Sequence, residues 1–250
     1  GAIPIFADVD ENSGNITAET IEKVITPKTK AIIPVHLAGM PCEMDEIMAL
    51  AEKHGIYVIE DCAQAHGAVY KGRPVGSIGH FGSYSFCQDK IMTTGGEGGM
   101  LVTNDEDLWK AAWAYKDHGK SYDAVYNREH PPGFRWLAES FGTNFRMTEM
   151  QAAMGREQLK LLPSWTKRRQ ENATKLDAVV QRCPALRLQV TPDYMVNACY
   201  KYYTYVRQDL LKEGWDRDRI QDCFWDEGIP CFVGSCSEIY LEKAFETAGY

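Results

Sequence analysis

The chain has 250 residues, with 27 Lys and Arg against 35 Asp and Glu, a net charge of −8. Apolar residues make up 44% and charged residues 25%, a globular balance that excludes a disordered tail or a fibre. The acidic excess argues against broad nucleic-acid binding, which needs a basic face to displace counterions. The longest apolar run, Ala31 to Met40, is broken by Pro34 and His36. It is about half the roughly 20 residues of a membrane span.

The start, Gly1 to Asp8, has no basic residues and no signal-like apolar centre, so a cytoplasmic location is expected. Eight cysteines (Cys42, Cys62, Cys87, Cys183, Cys199, Cys223, Cys231, Cys236) form no Cys-x-x-Cys pair and have no histidine at zinc spacing. They read as small buried thiols of a reducing compartment, and no metal is expected.

In chain order, Ile3 to Ala7 reads as a strand. Thr17 then caps a helix that Pro27 stops, with Ile16 and Ile21 as a hydrophobic staple. Ala31 to Val35 reads as a second buried strand. Residues 43–54 read as a helix with Met44, Ile47, Met48 and Ala51 on one face, an acidic first turn, a basic last turn and Gly55 as the stop. Ile56 to Ile59 reads as a third strand, ending in Glu60-Asp61. Apolar runs without alternation, joined by helices, predict a parallel sheet covered on both faces. Ligands bind such sheets beyond the carboxyl ends of the strands, where Asp61 stands.

Phe81 to Phe86 and Met100 to Thr103 read as strands around a glycine-rich turn, followed by a helix over 106–116. Asp117 to Phe145 is aperiodic and reads as a functional or interface loop. Thr148-Glu-Met-Gln151 is a capping box opening a long helix. Its apolar face is expected to hold Met150, Met154 and Leu161, with an interruption near Pro163 and a resumption to about Arg182. The run Lys167-Arg-Arg169 reads as a solvated face. Strands at Leu186 to Val190 and Tyr200 to Arg207 and a helix at Asp216 to Glu227 suggest a second, smaller α/β domain.

Three words carry chemistry: Glu60-Asp-Cys-Ala-Gln-Ala-His66, Ser83-Tyr-Ser-Phe-Cys-Gln-Asp-Lys90 and Thr93-Thr-Gly-Gly-Glu-Gly-Gly99. Singly they admit bland readings: Asp61 as a helix cap, Lys90 as a solvated lysine, the glycines as a tight turn. Together they meet the demands of pyridoxal 5'-phosphate. A lysine forms the Schiff base, an acid keeps the ring nitrogen protonated, and a hydroxyl with backbone N–H groups holds the phosphate.

From Thr29 to about Leu162 the sequence closely resembles the DegT–StrS family of pyridoxal-phosphate-dependent nucleotide-sugar aminotransferases. The matching words are Thr29-Lys-Ala-Ile-Ile-Pro-Val-His-Leu-Ala-Gly39, Glu60-Asp-Cys-Ala-Gln-Ala-His-Gly-Ala68, Ser85-Phe-Cys-Gln-Asp-Lys90, Gly96-Glu-Gly-Gly99 and Asn144-Phe-Arg-Met-Thr-Glu-Met-Gln-Ala-Ala153. The resemblance implies the α/β fold type I of these enzymes, a mostly parallel central sheet flanked by helices with a smaller α/β C-terminal domain. Residues 1–146 would be the large cofactor-binding domain, 147–182 a connecting helix and 183–250 the small domain.

It also implies roles. Lys90 would be the Schiff-base lysine and proton shuttle, Asp61 the partner of the pyridinium nitrogen, Gln64 a contact near the 3-hydroxyl and Ser85 a phosphate ligand. Asn144 would reach the phosphate of the neighbouring subunit, making a homodimer with shared active sites. Arg146 would meet acidic groups of the substrate, or serve as a structural ion pair. His66 and His118 receive no role. The reaction implied is transfer of an amino group from glutamate to a keto group of a nucleotide-linked sugar, in surface-polysaccharide or secondary-metabolite sugar synthesis.

The sequence departs from the family at Gly95-Gly96, where many relatives have one glycine, and at the lead-in Cys87-Gln-Asp89. The resemblance further implies that the chain begins partway through the large domain and stops before the family's last elements. A homologue that keeps the fold and dimer surface without turnover is the alternative. A sugar dehydratase is a second, although those relatives carry histidine at the position of Lys90. A nucleotide-binding module built on Gly95 to Gly99 fits no phosphate-loop spacing.

Overall fold

The computed structural model describes residues 1–234 and 238–249. Cys236 lies outside the described residues. In chain order the elements are α1 (Ala18–Glu22), β1 (Ala31–Ile32), α2 (Met44–His54), β2 (Tyr57–Asp61), β3 (Val69–Tyr70), β4 (Arg73–Pro74), β5 (Phe81–Ser85) and β6 (Gly99–Val102). Then follow α3 (Glu106–Lys116), α4 (Tyr122–Tyr126), α5 (Glu149–Val180), β7 (Leu186–Leu188), β8 (Met195–Val196), β9 (Thr204–Val206), α6 (Arg217–Asp226) and α7 (Lys243–Ala248).

The local signals explain most of these bounds. Thr17 and Thr20 cap each other at α1, with Thr20 N–H donating to the Thr17 hydroxyl at 3.2 Å and Thr17 N–H to the Thr20 hydroxyl at 3.0 Å. The helix is shorter than expected, ending at Glu22 before Pro27 can act. Helix α2 carries Asp45 and Glu46 in its first turn and Lys53 and His54 in its last, and Gly55 ends it in the left-handed conformation (φ 63°).

The main sheet has the order β1-β2-β5-β6. β1, β2 and β5 run parallel, and β6 is antiparallel to β5, so the sheet is mixed. One face packs: Ile32, Val58 and Glu60 are buried, against Met44, Ile47, Leu50 and Ala51 of α2. Among the described residues the other face is left more open, with Ile33 56% and Tyr57 52% exposed. The runs are apolar throughout, yet only alternate residues meet a packing layer in this chain.

Four further expectations change. Ile3 to Ala7 forms no strand, because among the described residues nothing pairs with its backbone; Phe6 instead packs on the rings of Tyr240 and Phe245, 6.3 and 5.5 Å away. Asp117 to Phe145 is not structureless: it holds α4 and is tied back by bridges between Asp117 and Asn144 and between Lys120 and Ala138. α5 runs unbroken through Pro163. Pro163 is exposed, so the Leu159 carbonyl that loses its partner can turn to water. Met150, Met154 and Leu161 on α5 are exposed rather than buried.

The thiols also differ from expectation. Cys42 and Cys62 are buried, Cys87, Cys199 and Cys231 are half-buried, and Cys183 and Cys223 are exposed. Among the described residues there are also two small antiparallel sheets, β4-β3-β8 and β7-β9. No helix among the described residues is long and apolar enough to cross a membrane.

Candidate active site

Asp61 ends β2 with its backbone fixed from both sides, its N–H donating to the Pro34 carbonyl at 2.9 Å and its carbonyl accepting from His36 N–H at 3.1 Å. Oδ1 accepts the Ala63 N–H at 2.9 Å, and Oδ2 takes no hydrogen bond among the described residues. Asp61 pairs with Ser83 of β5. Paired residues share a face and alternate residues along a strand share a face, so Asp61, Ser83 and Ser85 all stand on the open side of the sheet.

Glu60 points the opposite way, into the interior. Its carboxylate accepts from His36 Nε2 (3.0 Å) and from the N–H groups of Gly76 (2.7 Å), Ile78 (2.8 Å) and Gly79 (2.6 Å). Cys42 N–H donates to His36 Nδ1 at 3.0 Å, which leaves the ring proton on Nε2. Burial raises the Glu60 pKa, but the bonds from His36, Gly76 and Gly79 outweigh it and hold the carboxyl below its ordinary range. Cys62 completes a buried triad whose ligand atoms lie within 4.8 Å of one another. The triad is already satisfied internally, and burial pushes the Cys62 thiol up, disfavouring the thiolate a metal requires.

Gln64 accepts the Ala38 N–H on Oε1 at 2.7 Å. Ala38 adopts φ 57°, and its carbonyl accepts the Tyr200 N–H at 2.8 Å. Ser85 Oγ accepts the Cys87 N–H at 3.3 Å, which leaves its own O–H proton available. Lys90 is 16% exposed at its side chain; Nζ lies 3.8 Å from Asp89 Oδ1 and 5.1 Å from the centre of the Tyr200 ring. Asp89 Oδ2 in turn accepts the Tyr200 hydroxyl at 2.5 Å.

The glycine turn after Lys90 is held by α5. Gln158 Oε1 accepts the Thr93 N–H at 2.8 Å, and Gln151 Nε2 donates to the Glu97 carbonyl at 2.7 Å. These residues are two turns apart on one helix face, with Gly155 between them where a Cβ would press on Thr94 Cγ2 at 2.9 Å. Gly95 and Gly96 take φ of 86° and 130°, conformations that other residues rarely adopt.

His66 is buried, its ring 5.4 Å from Tyr84 and 5.8 Å from Phe86, and among the described residues neither nitrogen makes a well-formed hydrogen bond. Burial pushes its pKa down to about 4, against a pull from the Ser85 backbone and with help from the Lys90 charge. The ring is therefore neutral near pH 7.

A chain of contacts thus links Gln64, Ala38, Tyr200, Asp89 and Lys90 at the end of the sheet that Asp61 and Ser85 share. Asn144 and Arg146 form a separate cluster. Asn144 Oδ1 accepts from Arg146 Nε at 3.1 Å, and that nitrogen lies 3.6 Å from Asp117 Oδ1. Burial raises the Asp117 pKa, but the Lys120 hydrogen bond and the charges of Lys120 and Arg146 bring it below the usual carboxylate range.

Sequence reasoning missed Asp89 as a partner of Tyr200 and missed the two glutamines of α5. Arg169 also leaves the solvated run expected of it, donating to the carbonyls of Cys199 (3.3 Å) and Tyr200 (3.2 Å). The spacing of Gln151, Gly155 and Gln158 was the readable signal for the docked face. Asp89 and Tyr200, 111 residues apart, left none.

The profile of the family described as the DegT/DnrJ/EryC1/StrS aminotransferase family matches residues 1–249. The spore coat polysaccharide biosynthesis protein SpsC of Bacillus subtilis is 41% identical over 229 residues, 91% of this chain and 58% of that protein. A GDP-perosamine synthase of Caulobacter vibrioides is 45% identical over 160 residues, 64% of this chain and 40% of that protein. The X-ray structure of an aminotransferase from Psychrobacter cryohalolentis superimposes with a TM-score of 0.95 at 61% identity, covering 100% of this chain and 65% of that one. The matches thus span 40% to 65% of the length of these relatives.

Proposed function

The chain belongs to the DegT/DnrJ/EryC1/StrS aminotransferase family, and on that premise we propose that it serves a pyridoxal-phosphate-dependent transfer of an amino group from glutamate to a keto group of a nucleotide-linked sugar. The names of its relatives, a GDP-perosamine synthase and a spore coat polysaccharide protein, support that substrate class. The absence of any long apolar helix among the described residues is compatible with a cytoplasmic enzyme.

The residues present fit the cofactor. The observation that carries the reading is that Asp61 and Ser85 share the open sheet face, with an uncommitted carboxylate oxygen and an uncommitted hydroxyl proton. When bound, the pyridoxal ring supplies an electron sink for moving the amino group. Asp61 Oδ2 would accept the proton of the ring nitrogen. Gln64, whose Oε1 is spent on Ala38, would offer its Nε2 hydrogens near the 3-oxygen. Ser85 would donate to the phosphate. Lys90 Nζ would hold the aldehyde carbon and then carry the proton between the two carbons that exchange it.

Asn144, whose backbone bridges to Asp117, would reach the neighbouring subunit's phosphate. Arg146 is engaged by Asp117 and Asn144, and this favours the structural ion pair over substrate contact. We assign residues 1–146 to the cofactor-binding part, 147–182 to the connecting helix and 183–250 to the smaller part.

Addition of pyridoxal phosphate should produce an absorbance band near the visible edge that Lys90→Ala abolishes. No band in the unsubstituted protein would overturn the assignment. Conversion of the bound cofactor by glutamate alone would exclude the homologue without turnover.

A further inference from the structure

We infer that Asp89 and Tyr200 form a clamp that positions the Lys90 amine, with the carboxylate 3.8 Å and the ring centre 5.1 Å from Nζ. The inference rests on the reading of Lys90 as the residue that bonds the cofactor, and it gives work to the unusual Asp89 in the lead-in to that lysine.

A lysine presents its ammonium on a flexible four-carbon stem, and this one precedes a glycine-rich turn. Something must limit where the amine goes. Asp89 alone would do little, since its side chain is 56% exposed and 3.8 Å from Nζ, the kind of surface pair that contributes almost nothing. Tyr200 changes this. Its residue is 8% exposed, and its hydroxyl donates to Asp89 Oδ2 at 2.5 Å, tethering the carboxylate to an interior ring. The same ring lies 5.1 Å from Nζ, within reach of a cation–π attraction.

Tyr200 is itself held at both ends of its peptide. Its N–H donates to the Ala38 carbonyl at 2.8 Å, and its carbonyl accepts from Arg169 at 3.2 Å. Ala38 donates its N–H to Gln64. Two residues assigned to the cofactor, Gln64 and Lys90, therefore hang from one anchored backbone contact, Ala38 with Tyr200. Asp89 and Tyr200 are positioning residues in this account, acting through Lys90.

The test is the rate of covalent capture of pyridoxal phosphate at Lys90 in the full chain. The lysine nitrogen bonds the aldehyde carbon, the carbonyl oxygen leaves as water, and hydride from added borohydride fixes the bond for peptide mapping. Asp89→Asn and Tyr200→Phe should each slow capture at Lys90 roughly tenfold, as expected for about 1.4 kcal/mol. The double variant should be no slower than either single one, because both remove one tether. Tyr200→Leu, which also removes the ring, should be slower still.

Capture at other lysines and the far-ultraviolet circular dichroism of Asp89→Asn and Tyr200→Phe should stay unchanged, whereas a merely structural role would alter capture at other lysines as well. Equal capture rates at Lys90 in the unsubstituted protein and these two variants overturn the clamp alone. No capture at Lys90 in the unsubstituted protein overturns the cofactor reading and the clamp with it.

Discussion

His36 and Glu60 meet in the interior at 3.0 Å, and the Cys42 N–H on the far side of the ring fixes which nitrogen carries the proton. Four donors converge on one carboxylate there, three of them backbone N–H groups of the segment from Gly76 to Gly79. Glu60→Gln would turn an acceptor into a donor facing those groups. The expected loss is about 3 kcal/mol, as for other broken buried pairs, read from the urea midpoint at pH 7. The same variant should lose acid sensitivity. The folded Glu60 titrates below its unfolded value, so its contribution is complete above the unfolded pKa and disappears as pH falls through the folded one. A plot of stability against pH below about 5 should therefore be flatter for Glu60→Gln, and equal slopes would contradict the account.

His66 gives the second pH prediction. The unfolded chain binds a proton at the ordinary value near 6.5, while the buried ring does not until about 4. Between these values the unfolded state holds more protons, so stability falls as pH falls. His66→Phe keeps an aromatic between Tyr84 and Phe86 and removes two nitrogens that make no well-formed hydrogen bond among the described residues. It should stabilise the protein by about 1 kcal/mol at pH 7.5 and by more at pH 5. A destabilised variant would show that the ring nitrogens have partners, and the same gain at both pH values would show that burial does not hold the ring's pKa down.

These cases show what the sequence could and could not disclose. The limits of α2, the caps Thr17 and Thr148 and the span of α3 follow from residues within a turn of each other, and all were legible. Asp61 was legible too, because a strand end announces itself locally. His36 with Glu60, and Asp89 with Tyr200, are contacts between distant segments of chain, and no periodicity encodes them. Ile3 to Ala7 failed for the converse reason. Its composition suits a strand, but a strand exists only where a neighbour accepts its hydrogen bonds.

The glycine turn should depend on its glutamines. Gln158→Leu leaves the Thr93 N–H without its acceptor. The cost should be about 1 kcal/mol, and hydrogen exchange at Thr93 should accelerate while α3 amides keep their rates. Unchanged protection at Thr93 would mean that α5 does not hold the turn.

Thiol reactivity should sort by burial. Burial pushes the Cys42 and Cys62 thiols up, so both should stay unlabelled by a thiol-specific reagent until the protein unfolds. Cys183 and Cys223, exposed, should react within the first minutes, as read by mass spectrometry of the labelled peptides. Rapid labelling of Cys42 in the native protein would contradict the packing around His36.

Helix α5 touches the glycine turn through Gln151 and Gln158, then grips the segment from Asn197 to Tyr202 through Gln170 (3.0 Å to the Asn197 carbonyl), Arg169 and Asp177 (2.8 Å to the Tyr202 hydroxyl). It behaves as a shaft with fittings at two stations. One extra residue beside Ser164 would leave the first station seated and rotate the second by about 100°. Arg169, Gln170 and Asp177 would then face away from their mates, and Tyr200 would no longer be delivered to the lysine. The phase of a single rod, and not only its length, decides whether the two halves of this chain can cooperate.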